Sequence, residues 1–253
     1  MSNISVSSVK ELRQRTGLGM MDCKKALDET SGDLDKAEDL LRLKSGNKAS
    51  KLSNRIAAEG CVSINISDSC TKAVILEINC ETDFVARDKS FLEFANFTSK
   101  EFLKIDTPSI NSIIKKERDN EIESMRKQLV MKLGENITIR RAQLIETTSK
   151  FFSYIHNGKI AVLLDASSLD DGIGRDICMH IAAMKPLAVS QDELDSNIVE
   201  RERDLASTKA KELGKPAEMI DKIVDGSLRK FFAEVTLLNQ KFVKDDKKTI
   251  KDI

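Results

Sequence analysis

The side chains best suited to catalysis or metal binding are few in this 253-residue sequence, and their spacing matches no common site. There are two histidines and five cysteines, with no Cys-x-x-Cys pair and no zinc-type cluster. The cysteines are Cys23, Cys61, Cys70, Cys80 and Cys178. Their odd number and wide spacing indicate reduced thiols of an intracellular protein, mostly small buried side chains. We therefore predict no metal site.

The sequence templates of common enzymes are also incomplete. There is no phosphate-binding loop and no Gly-x-Ser-x-Gly nucleophile elbow. Two Gly-x-Gly runs, at residues 17–19 and 172–174, match only part of the dinucleotide-binding fingerprint. Cys80 lies beside Glu81 and Asp83, but nearby carboxylates raise the pKa of a thiol, which opposes its activation as a nucleophile. We predict no catalytic residue and no cofactor.

The segment Cys80–Arg87 is unusual on physical grounds. It follows an apolar strand pattern, and either Thr82 or Asp83 can cap a helix, which explains the polar pair. Phe84 therefore falls at a strand-to-helix junction. Two interpretations stay open: burial of Phe84 in the core, which its apolar character favours, or exposure as an aromatic anchor for another protein.

Composition argues for a globular protein that does not bind nucleic acid. Charged residues make up 32% of the chain, but 41 Lys and Arg are balanced by 41 Asp and Glu. Binding to phosphate backbones requires a basic surplus, and aromatic residues at 4% offer few stacking surfaces. No secretory signal and no apolar run of about 20 residues is found, so we expect a cytoplasmic protein that does not enter a membrane.

These candidate residues must be positioned by a mixture of helices and strands, beginning with a small helical module. Residues 1–45 are predicted to form a three-helix bundle, in which Ser8 and Glu11 have the spacing of a capping box. Residues 46–57 are rich in Lys, Ser and Asn and are predicted to be a linker, for which a solvated connector is favoured over a partly helical segment.

The remaining chain predicts two α+β subdomains of similar plan, with small antiparallel sheets, over residues 58–148 and 149–253. In the first, alternating apolar residues at 62–66 and an apolar run at 73–78 predict a strand pair, with helical spacing afterwards. That helical spacing includes a long charged helix or pair of helices over 110–133.

The second subdomain is expected to contain a hairpin and a pair of helices. Asn157-Gly158 between two apolar runs predicts a β-hairpin. Highly charged helical spacing over about 190–226, broken at Gly214-Lys215-Pro216, predicts a helical hairpin. A last strand region is predicted near residues 235–243.

Several of these motifs resemble one known family. The run Ile78–Arg87 closely resembles the signature of the elongation factor Ts family, the guanine-nucleotide exchange factors of elongation factor Tu. Residues 9–27 resemble the N-terminal signature of that family. Three further motifs recur in the same order, namely Gly134–Ile137, His180–Pro186 and Gly214–Pro216. The resemblance covers essentially the whole chain.

The resemblance implies both a fold and a function. The fold is a ubiquitin-associated-like three-helix domain followed by two related α+β subdomains, the second carrying a helical hairpin. The function is that of a translation elongation factor, which binds the GDP form of elongation factor Tu. It displaces magnesium, releases GDP and allows GTP to rebind. Such an exchange factor is not an enzyme in the bond-making sense.

The resemblance also implies the contact residues. Thr82, Asp83, Phe84 and Val85 match the motif that enters the GTPase domain of the partner and displaces its magnesium. The other implied contacts are Val9, Leu12, Met20, Met21, Leu133, Gly134 and His156, of which the histidine would contact a different domain of the partner.

Two other functions remain as alternatives. The first is a non-catalytic adaptor whose N-terminal bundle binds peptides, and the second is a small enzyme that uses Cys80. The family normally continues past residues 248–250 with the rest of a helix and another strand of the second sheet. Two expectations stay open: either the sequence is cut short at Ile253, or the second sheet lacks one strand. Pairing of two copies through the helical hairpin is left open, and a homodimer is not predicted.

Overall fold

The computed structural model describes residues 4–105, 121–214 and 216–253, and the described chain is a mixture of helices and small antiparallel sheets. This confirms the predicted α+β class. The helices are α1 (Val6–Thr16), α2 (Met20–Glu29), α3 (Leu34–Leu52), α4 (Asp83–Ala86), α5 (Lys89–Leu103), α6 (Glu121–Leu133), α7 (Asp171–Met184), α8 (Ser196–Glu212) and α9 (Ala217–Val235). The strands are β1 (Glu59–Ile66), β2 (Lys72–Cys80), β3 (Thr138–Glu146), β4 (Lys150–His156), β5 (Ile160–Ala166), β6 (Lys241–Phe242) and β7 (Asp245–Thr249).

The chain divides into two compact units. The first comprises Met1–Phe151 and Ile155–Asp165, and the second comprises Phe152–Tyr154 and Ala166–Ile253. The predicted boundary after residue 148 lies close to the first break. However, most of β5 belongs to the first unit, although its residues are predicted to lie in the second subdomain. Within the described residues, no helix combines the length and apolar character needed to cross a membrane.

The predicted N-terminal bundle is confirmed, with a different first cap. The Ser5 hydroxyl accepts a hydrogen bond from the Ser8 amide at 3.0 Å, so α1 begins at Val6 and not after Ser8. Gly17 ends α1 with a φ of 67° and donates its amide to the Arg13 carbonyl at 2.8 Å. This left-handed backbone favours glycine because it has no Cβ. Side chains of α1, α2 and α3 then close a common apolar core.

The segment predicted to be a linker is largely helical. α3 continues to Leu52, and its residues Ser45, Ala49 and Leu52 are buried on one face. The spacing of these three residues matches one side of a helix, but two of them are small and most of their neighbours are polar, which hides this pattern in the sequence. The prediction of a solvated linker is wrong for residues 46–52, because Ala49 and Leu52 pack into the main apolar core of the first unit.

That main core lies between a three-stranded sheet and helices. β1 pairs antiparallel with β2, and β2 pairs antiparallel with β3, with a register irregularity at Glu77/Ile78. α5 covers the sheet and inserts Phe91, Phe94 and Phe102, each at most 2% exposed. The long helix predicted over 110–133 is observed from Glu121, and residues 106–120 lie outside the described part of the chain.

The predicted β-hairpin at Asn157-Gly158 is confirmed. β4 and β5 form a two-stranded sheet, and both turn residues have positive φ, 50° and 69°. Positive φ at both central positions is the geometry that Asn-Gly favours in two-residue hairpins.

The second unit contains the predicted helical hairpin with shifted limits. It is formed by α8 and α9 around Gly214, with Lys215 outside the described residues, so it runs from Ser196 to Val235 and not from about 190 to 226. Buried side chains of Ala206, Val224 and Leu228 join the two helices.

The prediction of a strand near residues 235–243 is wrong in part. Val235 ends α9, and Leu237 lies in a 3₁₀ turn. Only Lys241–Phe242 forms a strand, which pairs with β7.

Candidate functional site

The segment after β2 forms a corner that is capped twice. The Thr82 hydroxyl accepts a hydrogen bond from the Val85 amide at 3.4 Å and begins the single-turn helix α4. The Asp88 carboxylate then accepts from the amides of Ser90 and Phe91, at 2.8 and 3.3 Å, and begins α5. Side-chain caps satisfy the first amides of a helix and define where it starts, so the chain direction is set at both ends of this corner.

Phe84 projects from this corner into solvent and is 83% exposed, whereas Val85 and Ala86 are 8% and 6% exposed. The interpretation that placed Phe84 in the core is wrong. Consecutive residues in a helical turn point in different directions, and the core-facing directions of α4 are taken by Val85 and Ala86, which pack into the main apolar core. Phe84 is therefore an exposed aromatic side chain on a backbone that is held by the caps at Thr82 and Asp88.

Asp83 lies beside Phe84 at the surface. Its carboxylate is 3.1 Å from the Arg87 guanidinium, and both side chains are largely solvated. Exposed ion pairs of this kind contribute little to stability, about 0.3–0.5 kcal/mol. The carboxylate oxygens can therefore accept hydrogen bonds from another molecule at small cost to the fold.

The second segment predicted to contact a partner, Leu133-Gly134, is followed by a residue that hydrogen-bonds to the turn carrying Phe84. α6 ends at Leu133, and Gly134 reverses the chain with a φ of 78°. The Glu135 carboxylate then reaches back: Oε2 accepts the amides of Glu81 and Thr82, both at 3.0 Å, and Oε1 accepts the Thr82 hydroxyl at 2.6 Å. No role for Glu135 is predicted from the sequence, although this residue stands inside the motif Gly134–Ile137.

The remaining predicted contact residues fall into two groups. Met20 and Met21, at the start of α2, are 38% and 63% exposed, and His156 is exposed at the end of β4. Val9 and Leu12 are 6% and 0% exposed, because both point into the core of the N-terminal bundle. These two side chains support the bundle, and contact of this region with a partner stays a prediction.

The buried thiols at this site are poor nucleophiles. Burial, reinforced by the nearby Glu135 carboxylate, raises the pKa of Cys80 to about 12, and burial raises the pKa of Cys61 to about 11. Both groups are protonated at neutral pH, which contradicts the hypothesis of an enzyme that uses Cys80. Among the described residues, no group of three or more His, Cys, Asp or Glu side chains is arranged to hold a metal ion.

The geometry has the features of a protein-docking surface. A rigid, exposed aromatic anchor with a carboxylate beside it is typical of the residues that dominate protein–protein contacts. The class defined by fold and site is thus an α+β scaffold that presents an exposed aromatic side chain on a capped turn.

Comparisons with known proteins identify the family. The model of the family described as "Elongation factor TS" matches residues 81–253. Elongation factor Ts of Methylobacillus flagellatus is 46% identical over 266 residues, which cover 100% of this chain and 87% of that protein. Elongation factor Ts of Nitrosospira multiformis is 46% identical over 259 residues, covering 100% and 85%. The chain belongs to the elongation factor Ts family and is a translation elongation factor of protein biosynthesis.

Proposed function

We propose that this chain is the guanine-nucleotide exchange factor of elongation factor Tu. It binds the GDP form of that GTPase, promotes GDP release by displacing magnesium, and leaves when GTP rebinds. The observation that carries the proposal is the 83% exposure of Phe84 on a turn whose backbone is capped on both sides. Family membership supports the same assignment.

The four residues of the turn have separate tasks in this mechanism. Phe84 enters an apolar groove of the partner GTPase domain, and Asp83 offers carboxylate oxygens to donors of the partner. Thr82 caps the turn, and Val85 fixes it to the core. Magnesium bridges protein and nucleotide phosphates in GTPases, so moving its ligands weakens the binding of GDP.

Other surfaces add affinity around this anchor. Met20 and Met21 offer flexible apolar side chains, which adapt to an irregular partner surface. Leu133 and Gly134 lie at the end of α6, next to the residue that binds the turn. His156 stands on the β4–β5 hairpin and contacts a different domain of the partner.

Exchange by this route is a coupling between two binding equilibria. If the factor weakens GDP binding to the partner, GDP weakens the binding of the factor by the same ratio. The factor therefore needs no nucleophile or cofactor of its own. It needs an anchor whose contacts exist only when the partner has released its magnesium.

Release of fluorescent GDP from purified elongation factor Tu, followed by stopped flow with and without this protein, tests the proposal. We expect release to accelerate with increasing factor concentration until it saturates. An unchanged release rate at every factor concentration, with the factor folded, would refute exchange activity. Binding of peptides without any effect on release would support the adaptor alternative instead.

A further inference from the structure

We propose that Glu135 is a positioning residue that holds the Thr82–Val85 turn in its docking conformation before the partner arrives. This inference rests on the proposed exchange function and assigns a task within the same site. Glu135 would not touch the partner. It would act through the backbone and hydroxyl of Thr82, to which it is bonded.

Three hydrogen bonds converge on the Glu135 carboxylate. Both oxygens are used, and they accept two backbone amides and one hydroxyl within 3.0 Å. Glu81 and Thr82 have left the β2 ladder, which ends at Cys80, and their amides precede the first turn of α4. No strand or helix partner in the described chain accepts these two amides, so Glu135 supplies the acceptor.

The hydrogen bonds between residues 81–82 and residues 135–136 run in both directions. The Glu81 carboxylate accepts the Asn136 amide at 2.7 Å, while Glu135 accepts the Glu81 amide. Asn136 is 2% exposed and donates its side-chain amide to the carbonyls of Ser53 and Arg55, at 3.3 and 2.8 Å. The turn is thereby tied to the end of α6 and to the residues that follow α3.

The backbone of Gly134 places Glu135 beside the turn. Gly134 has a φ of 78° and donates its amide to the Val130 carbonyl at 2.9 Å, which ends α6 and reverses the chain. A residue with a Cβ rarely adopts this backbone. The local backbone therefore explains why a glycine stands at position 134, independently of any contact with a partner.

Loss of these bonds should lower the docking-competent fraction of the factor. When only a fraction of the molecules holds the binding conformation, the apparent dissociation constant rises by the inverse of that fraction. The release step itself should be unchanged, because the turn, once docked, makes the same contacts with the partner in the variant as in the unsubstituted protein. The half-saturating factor concentration should rise, and the limiting rate of GDP release should stay.

Two substitutions and one matched control separate positioning from general destabilisation. Glu135→Ala removes all three hydrogen bonds. Glu135→Gln keeps one carbonyl oxygen for the two amides, and its amide group can donate to the Thr82 hydroxyl. Glu146→Ala removes an exposed carboxylate at the far end of β3, where Glu146 lies 3.6 Å from Lys72.

We expect Glu135→Ala to raise the half-saturating concentration about tenfold, the value of one charge-assisted hydrogen bond, at an unchanged limiting rate. Glu135→Gln should remain within about threefold of the unsubstituted protein, and Glu146→Ala should match it. Amide hydrogen exchange of the peptide containing residues 81–86, measured in the free factor, should accelerate only in Glu135→Ala.

An unchanged half-saturating concentration in Glu135→Ala, or unchanged exchange of residues 81–86, overturns the inference. The same holds if the whole effect equals the loss of folded protein measured by circular dichroism. Failure of the proposed function looks different: the unsubstituted protein would not accelerate GDP release at all, while the hydrogen-exchange comparison would still report whether Glu135 holds the turn.

Discussion

The exposure of Phe84 leads to a prediction that separates function from stability. Phe84 is 83% exposed in the free protein, so Phe84→Ala removes almost no buried contact. We expect the free energy of unfolding to change by less than about 0.5 kcal/mol, as for other surface substitutions. Phe94, on α5, is 2% exposed, and Phe94→Ala should cost about 3–5 kcal/mol because it opens a cavity.

The expected effect of Phe84→Ala on nucleotide exchange follows from the surface area that Phe84 can still bury against a partner. Full burial of a phenylalanine side chain is worth about 1.5–3 kcal/mol, and almost all of that remains for the partner. Taking about 2 kcal/mol, docking weakens about 30-fold in Phe84→Ala, and stimulated GDP release at low factor concentration falls by the same ratio. The expected loss is therefore tenfold or more.

The assay is stopped-flow release of fluorescent GDP at several factor concentrations, with circular dichroism melts of the same preparations. Leu43→Ala is the matched control, because Leu43 is 70% exposed on α3 and belongs to no proposed contact. We expect Leu43→Ala to release GDP at the unsubstituted rate. An unchanged rate with Phe84→Ala would remove this residue from the mechanism, and a large loss of stability would show that its exposure is misjudged.

Three further predictions concern the cysteines, the buried histidine and one glycine. Four of the five cysteines are buried, so a thiol reagent near pH 7.5 should modify Cys70 quickly and the other four only after unfolding. Burial lowers the pKa of His180 from 6.5, and its hydrogen bond to Gln240 only partly offsets this. The stability that neutral, buried His180 contributes is therefore present above pH 6.5. It is lost as the pH falls, because the unfolded chain takes up the proton first, and the loss is at most about 1.4 kcal/mol per pH unit. A Cβ at Gly174 would lie 2.3 Å from the Phe152 ring, so Gly174→Ala should destabilise the protein by about 1–3 kcal/mol in urea unfolding.

Each of these three has a control. Cys70→Ser should abolish the fast thiol reaction, and a fast reaction that persists would contradict the assigned burial. His180→Gln should flatten stability between pH 7.5 and 5.5, and a slope that persists in this variant would contradict its assignment to His180. Gly226→Ala, where a Cβ meets nothing within 4 Å in the interior of α9, should stabilise the protein, so equal costs for both glycines would refute the packing argument.

Much of the fold was predictable because local patterns report local structure. Alternating apolar residues predicted β1, a continuous apolar run predicted β2, and Asn157-Gly158 predicted the turn between β4 and β5. The limits of elements were less predictable. α1 starts at Val6 because the Ser5 hydroxyl reaches the Ser8 amide, a choice between neighbouring serines that the sequence leaves open.

The burial of small residues was not predictable from composition. Residues 46–52 have the polar composition of a linker, yet Ala49 and Leu52 are buried because other elements pack against that face of α3. A further contact involves Ser45, whose hydroxyl donates to the Met131 sulfur at 2.9 Å, across 86 positions of sequence. The partner of such a residue is set by the fold, and no local pattern names it.

The sequence by itself determined the family, the order of elements and the motif Thr82–Val85, because these depend on residue types and spacing along the chain. Only the tertiary structure decided that Phe84 points outward, that Val9 and Leu12 point inward, and that Glu135 binds the turn. The physical reason is distance along the sequence. Glu135 lies 54 positions from Glu81, and a hydrogen bond between them exists only after the sheet and α6 have packed.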